Sequence, residues 1–304
     1  MTAERFQKLL SSSESIEIRT SDAWSLRADV REPHASPVGV AVLAHALMAR
    51  RSEFERPRGA GLALFLAERG WRTVAFDFRG HGDSAFGKGS LAYDDFVGRD
   101  LPAVCDFARW HGGERMRVVV VGHSLGGHVA LASAASGAID VEAIVGIGAS
   151  VWIRELEPSW RRFLAKRVVV IAASAAARRF GRMPARWLRL GSDDVPAGVV
   201  ADIARFARTG RWTSADASLD YLRLLAHIRT PVLEVVSDGD RFECHPACGE
   251  RFAARCGARH DVLRVRYGDR GAPAPDHMGL VTSDRVRTVW QQIESWARAI
   301  VARS

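Results

Sequence analysis

The sequence predicts an α/β fold: a mostly parallel central sheet with helices on both faces and an inserted helical segment. Three observations point there. Apolar runs of strand length alternate with helical patterns over most of the chain, a Gly-x-Ser-x-Gly turn joins four valines to an alanine-rich stretch within 118–135, and the alternation lapses between 150 and 229.

Taken in order, SIEIRT and WSLRADVR within 15–31 alternate apolar and polar residues, as half-exposed antiparallel edge strands do. After the breakers Pro33 and Pro37, VGVAVLAH (38–45) is continuously apolar, which marks a strand covered on both faces. GAGLALFLAERGW then reads as an amphipathic helix closed by Gly70, WRTVAFDF (71–78) as a second buried strand, and YDDFVGRDLPAVCDFARWHG as a helix ending near Gly112. RVVVVGHS is a third strand, LGGHVALASAASG a helix, and VEAIVGIGA (141–149) a fourth strand. From 150 to 229 the composition turns to Trp152, Trp160, Trp187, Trp212 and many arginines, with helical stretches broken by Gly181, Pro184, Gly191, Pro196 and Gly210. Sheet rhythm resumes with TPVLEVVSDGD (230–240), a helix over about 246–256, DVLRVRYG (261–268), a Pro-rich loop at 271–276 and a closing helix VRTVWQQIESWARAIV. The expected organisation is a core made of 1–149 and 230–304, with 150–229 as a helical cap.

Composition excludes several classes. At 304 residues and 47% hydrophobic content the chain can build a large core. No apolar run is long enough for a membrane helix; the nearest, VVVIAASAAA (168–177), is bracketed by Arg167 and Arg178. The N-terminus, MTAERFQKLLSSSESIEIRT, has no secretory apolar region, so a cytoplasmic location is expected. Four cysteines make no disulfide scaffold, and Cys244, Cys248 and Cys256 do not follow a zinc-site spacing even with His245 and His260 near, so no metal is expected. The net charge of +8 comes from arginines spread from Arg5 to Arg303 among 35 acids, with no basic run longer than two. That spread favours a solvated surface over nucleic-acid binding.

Gly122-His123-Ser124-Leu125-Gly126 is a G-x-S-x-G pattern with a strand before it and a helix after it, the context in which such a serine is held exposed on a strained turn. The backbone N–H of Leu125, at the positive end of the following helix, is placed to meet negative charge on a bound carbonyl. A serine hydroxyl needs a base, and the base needs an orienting acid. Active groups of parallel sheets gather beyond the carboxyl ends of the strands. Asp238 and Asp240 follow VLEVVS there, and His277 follows the last strand and the Pro-rich loop. Ser124, Asp240 and His277 are therefore the expected triad, with Asp238 as competitor for the acid and Asp276 disfavoured by its adjacency to His277.

Taken together, Leu43-Ala44-His45-Ala46, Asp77-Phe78-Arg79-Gly80-His81-Gly82-Asp83-Ser84, Gly122 to Gly127, Pro231 to Asp240 and Asp276-His277 resemble the α/β-hydrolase superfamily over residues 15–302. The family's G-x-x-D turn maps its acid onto Asp240, with Ser237 in the glycine's place. The resemblance also implies a second oxyanion donor just after the family's His-Gly position, here Leu47 with Ala46 as its neighbour, and gives His81 a structural role. A serine at the elbow disfavours epoxide hydrolases and dehalogenases. The helical insert is similar to that of a bacterial branch known only as predicted hydrolases.

The expected chemistry is cleavage of a small-molecule acyl ester through an acyl-serine, without cofactor, in a monomer or homodimer. A thioesterase or a monoacylglycerol-type lipase is the same chemistry on another substrate, suggested by Arg161, Arg162, Arg178, Arg179 and Arg182. A ligand-binding protein with little turnover is the alternative of another class. Trp152, Trp160 and Trp212 are expected to pack a small core of the insert.

Overall fold

The computed structural model describes residues 13–84 and 91–303. Its strands are β1 (Glu14–Arg19), β2 (Ser25–Arg31), β3 (Gly39–Ala44), β4 (Trp71–Phe76) and β5 (Val118–His123), then β6 (Ala143–Ile147), β7 (Arg182–Met183), β8 (Val195–Pro196), β9 (Val232–Ser237) and β10 (His260–Val265). Eight of them form one sheet in the order β1-β2-β4-β3-β5-β6-β9-β10. β1 pairs antiparallel with β2 and β2 antiparallel with β4, and every later pairing is parallel.

The unbroken apolar runs are explained by helices on both faces. In β3, Val40, Val42 and Ala44 point into one core while Ala41 and Leu43 point into the other, and β5 divides Val118 and Val120 from Val119 and Val121 in the same way. On the second core pack α1 (Leu62–Ala67) and, from the chain's end, the helix Arg287–Val301 with Trp290 and Ile293; on the first lie α2 (Leu101–Trp110) and α3 (Leu125–Ala135). The helix expected over 93–112 is divided by a wider π turn at Phe96–Asp100. Pro102 lacks the N–H that Gly98 would bond in a regular helix.

Between β6 and β9 run α4 (Trp160–Phe180), the two-stranded ribbon of β7 and β8, and α5 (Ala197–Thr209). After β9 comes α6 (Pro246–Ala253), so the terminal Arg287–Val301 helix is α7. Two tryptophans of the insert depart from the expected small core: Trp212 is fully buried but packs on Tyr93 and Phe252 as well as on Tyr221, and Trp160 stands in solvent. Among the described residues no helix is long and apolar enough to cross a membrane.

Candidate active site

β5 ends directly beneath Ser124, which has φ +52° and ψ −109°, a left-handed conformation that side chains rarely adopt. Its N–H donates to Ile147 O at 2.9 Å, and Ser124 O receives the N–H groups of Gly127 and His128 in the first turn of α3. Close approach requires the flanking glycines: a Cβ on Gly122 would lie 2.3 Å from Gly127 N, and one on Gly126 would lie 2.1 Å from Ala44 O. Leu125, as first residue of α3, has no carbonyl one turn back within the helix for its N–H.

The turn after β9 and the loop after β10 meet beside this elbow. His277 Nδ1 bonds Asp240 Oδ2 at 2.5 Å, both residues being buried. Asp240 Oδ1 receives Cys244 N–H at 3.0 Å, and Ser237 Oγ donates to Pro275 O at 2.5 Å, which fastens the acid turn to the histidine loop. Burial opposes ionisation of Asp240, but the hydrogen bond and charge of His277 override it and hold the carboxyl below its ordinary value. A Cβ on Gly148 would lie 3.0 Å from His277 Cε1, and Gly148 follows the Ile147 carbonyl that holds Ser124, so serine and histidine flank one turn. Ser124 Oγ makes no hydrogen bond to a described residue; such contacts often tighten only around substrate. Asp238 instead pairs with Arg264 at 2.7 Å on the surface, and Asp276 Oδ1 receives Gly279 N–H at 2.7 Å, so neither reaches the imidazole.

Leu47 and Ala46 separate as clearly. The Ala46 N–H donates to Glu53 Oε1 at 3.1 Å and is thereby occupied. His81 Nε2 lies 2.9 Å from Leu47 O and fixes that peptide, consistent with the structural role expected for His81. His45 accepts Phe78 N–H at Nε2 and sits 2.7 Å from Ala46 O at Nδ1, joining the loops after β3 and β4; burial drives its pKa down to about 3, which keeps it neutral.

Two positioning groups escaped the sequence. Buried Glu53 also bonds His123 Nδ1 at 3.1 Å, while His123 Nε2 lies 3.2 Å from His277 O and the two imidazole rings pack 4.9 Å apart. Both nitrogens of His123 face acceptors; burial opposes its protonation, but the Glu53 charge wins and raises its pKa. The buried Glu53–His123 pair thus links the loop after β3, the elbow and the histidine loop. Glu234, in the apolar run VLEVVS, receives Ala149 N–H at 2.7 Å, and burial lifts its pKa well above the ordinary carboxylate value. Nothing in periodicity or spacing marks either glutamate, because each works through a partner distant in sequence. Cys244, Cys248 and Cys256 are buried free thiols, with Cys244 Sγ 3.7 Å from Ala149 O.

A mostly parallel sheet with a strained serine after its fifth strand and an Asp–His pair from later strand ends defines the α/β-hydrolase class. Residues 56–268 match the family described as serine aminopeptidase, S33, and the chain belongs to that family of hydrolases. Solved structures share the fold. A thermophilic esterase from Thermogutta terrifontis is 18% identical with a TM-score of 0.61, over 94% of this chain and 99% of its own. An esterase from Exiguobacterium antarcticum is also 18% identical, TM-score 0.64, over 94% and 100%. Est1E from Butyrivibrio proteoclasticus, solved with ferulic acid bound, is 16% identical, TM-score 0.63, over 94% and 99%.

Proposed function

We propose that this protein is a serine hydrolase that cleaves carboxylic esters through an acyl-serine intermediate. The observation that carries the reading is the strained Ser124 at the β5–α3 junction, with the Asp240–His277 pair seated against the same turn. Nδ1 of His277 is committed to Asp240, which leaves Nε2 to take the Ser124 proton as Oγ bonds the acyl carbon. The N–H groups of Leu125 and Leu47 receive the oxyanion. Collapse of the tetrahedral species breaks the ester C–O bond, and His277 returns the proton to the departing alcohol. Water, deprotonated by His277, then releases the acid.

The carboxylates around the site favour an ester over a peptide N-terminus. An α-ammonium group needs a free carboxylate, but Asp240, Glu53, Asp193 and Glu157 are each paired with a basic side chain, and burial opposes ionisation of Glu234. Residues 150–229 act in this reading as a cap. Asp193 N–H donates to Met48 O at 3.1 Å, Arg162 donates to Arg241 O, and Lys166 Nζ donates to Glu243 O at 3.1 Å, so the insert is fastened both beside Leu47 and just after Asp240. An acyl thioester with an anionic tail is the second reading, favoured by the arginines of the insert.

A fluorophosphonate should label the wild type and not Ser124→Ala. Resistance of the wild type to the label would favour a binding protein without turnover. A chain-length series of p-nitrophenyl esters, run beside acyl-CoAs and an aminoacyl p-nitroanilide, separates ester, thioester and peptide substrates, with the esters expected to be turned over fastest.

A further inference from the structure

We propose that the outer face of α4, with the loop that follows it, docks on an anionic lipid surface. Residues 160–190 hold nine of the 43 lysines and arginines and none of the 35 acids, so the rest of the chain nets one negative charge. Although arginines are spread along the chain, the excess of cations over acids is therefore concentrated in this segment. Arg162 and Lys166 meet Glu157, and Arg182 meets Asp194, but Arg161, Arg167, Arg178, Arg179, Arg186 and Arg189 form no ion pair among the described residues. The same segment carries nine of the fourteen large apolar side chains exposed among the described residues, so exposed apolar surface is concentrated there. Lys166, Val170 and Ala177 turn inward, whereas Leu164, Val168 (59% exposed), Ala172 and Ala175 line an outer stripe with Arg161 at one end and Arg179 at the other. Trp160 (61%) and Ile171 (61%) widen that stripe, and Trp187 (79%) is exposed on the loop that follows α4. Between α4 and α5 lies a groove of about 400 Å³ with Ala201 and Ala204 in its wall and Arg167, Arg178 and Arg208 around it.

Exposed aliphatics and tryptophans between arginines match the headgroup zone of a bilayer, where rings and methyls enter the acyl boundary and guanidiniums hold lipid phosphates. Nucleic acid would leave the aliphatics without an apolar partner. A two-fold pairing with a second copy would set cation against cation. The face also adjoins the site: a Cβ on Gly191, at the end of the loop bearing Trp187, would lie 2.3 Å from Met48 O, one residue beyond Leu47.

The test is sedimentation of the whole protein with vesicles, which does not depend on the catalytic reading because Ser124→Ala should bind as the wild type does. Binding is expected to vesicles of phosphatidylcholine and phosphatidylglycerol mixed three to one, to be weak on phosphatidylcholine alone, and to fall as salt is raised. Arg161→Glu with Arg178→Glu should lower partitioning at least about tenfold, and Leu164→Ser with Ile171→Ser should lower it as well. Wild-type protein left in the supernatant with the anionic vesicles, or charge-reversed protein that binds unchanged, overturns the proposal. A concentration-dependent dimer abolished by Leu164→Glu would also overturn it and assign the face to a second copy.

Discussion

Around Ser124 close neighbours constrain the backbone and most polar groups, whereas the outer face of α4 stands exposed among the described residues. Gly122 and Gly126 admit no Cβ, Ser124 is held at a positive φ, and the buried ring nitrogens of His45 and His123 and Oε1 of buried Glu53 each meet a specific partner. Along α4, by contrast, Val168 and Ile171 project into solvent on a helix whose Arg161, Arg167, Arg178 and Arg179 form no ion pair among the described residues. The first region stores strain and buried polar groups that only a rigid scaffold can hold. The second carries apolar surface that the fold itself does not use. The contrast separates residues set by chemistry inside the molecule from residues set by contact outside it.

Acidification should divide the two regions most strongly. His45 and His128 both have pKa values pushed by burial to about 3 from 6.5, so the unfolded chain gains protons first as pH falls. Stability from these two is full above 6.5 and declines below it, by about 2 kcal/mol each at pH 5. His123 runs the other way: its pKa is raised, so its contribution is present below 6.5 and fades only as pH climbs through the raised value. Urea melts at pH 7 and pH 5 should show the net loss, and His128→Gln should reduce it; a flat profile would mean that the buried histidines are hydrated.

Next in size is Gly126→Ala, which forces a methyl against Ala44 O and should cost roughly 2–3 kcal/mol in a denaturant melt. Glu53→Gln should sharpen the comparison within the site. Losing the charge that holds His123, and through it the His277 carbonyl, is expected to lower kcat roughly ten- to a hundredfold with KM little changed, because Glu53 positions groups and touches no substrate. A change confined to KM would remove it from the positioning network. The smallest effect belongs to Leu164→Ser with Ile171→Ser, which should alter stability in solution by no more than about 0.5 kcal/mol. A large loss there would mean that the α4 face is packed after all.

Legibility followed the range of the interactions. The strands of the main sheet could be read because some alternate, as β1 and β2 do, and others are largely apolar, as β3 and β5 are, and these patterns follow from whether one or both faces are covered. Ser124 was legible because its turn needs glycines within two residues. Asp240 and His277 could be nominated from their places after strands, but Asp238 stayed in contention until the fold turned it outward to Arg264. Glu53 and Glu234 were invisible, since an acid in an apolar or loop context carries no signal until its distant partner is known. Trp160 read as packing because hydrophobicity alone does not say which side of a helix finds a neighbour.

By itself the sequence determined the alternation of strands and helices, the point where the insert interrupts it, and the strained turn that presents Ser124, because each of these depends on residues close along the chain. Only the tertiary structure decided which aspartate meets His277, that the Ala46 amide beyond β3 is taken by Glu53, that a buried Glu53–His123 pair braces three loops, and that α4 keeps an apolar, cationic face in solvent. Those outcomes depend on burial and on distances between groups far apart in sequence, and both quantities come into being only when the chain closes on itself.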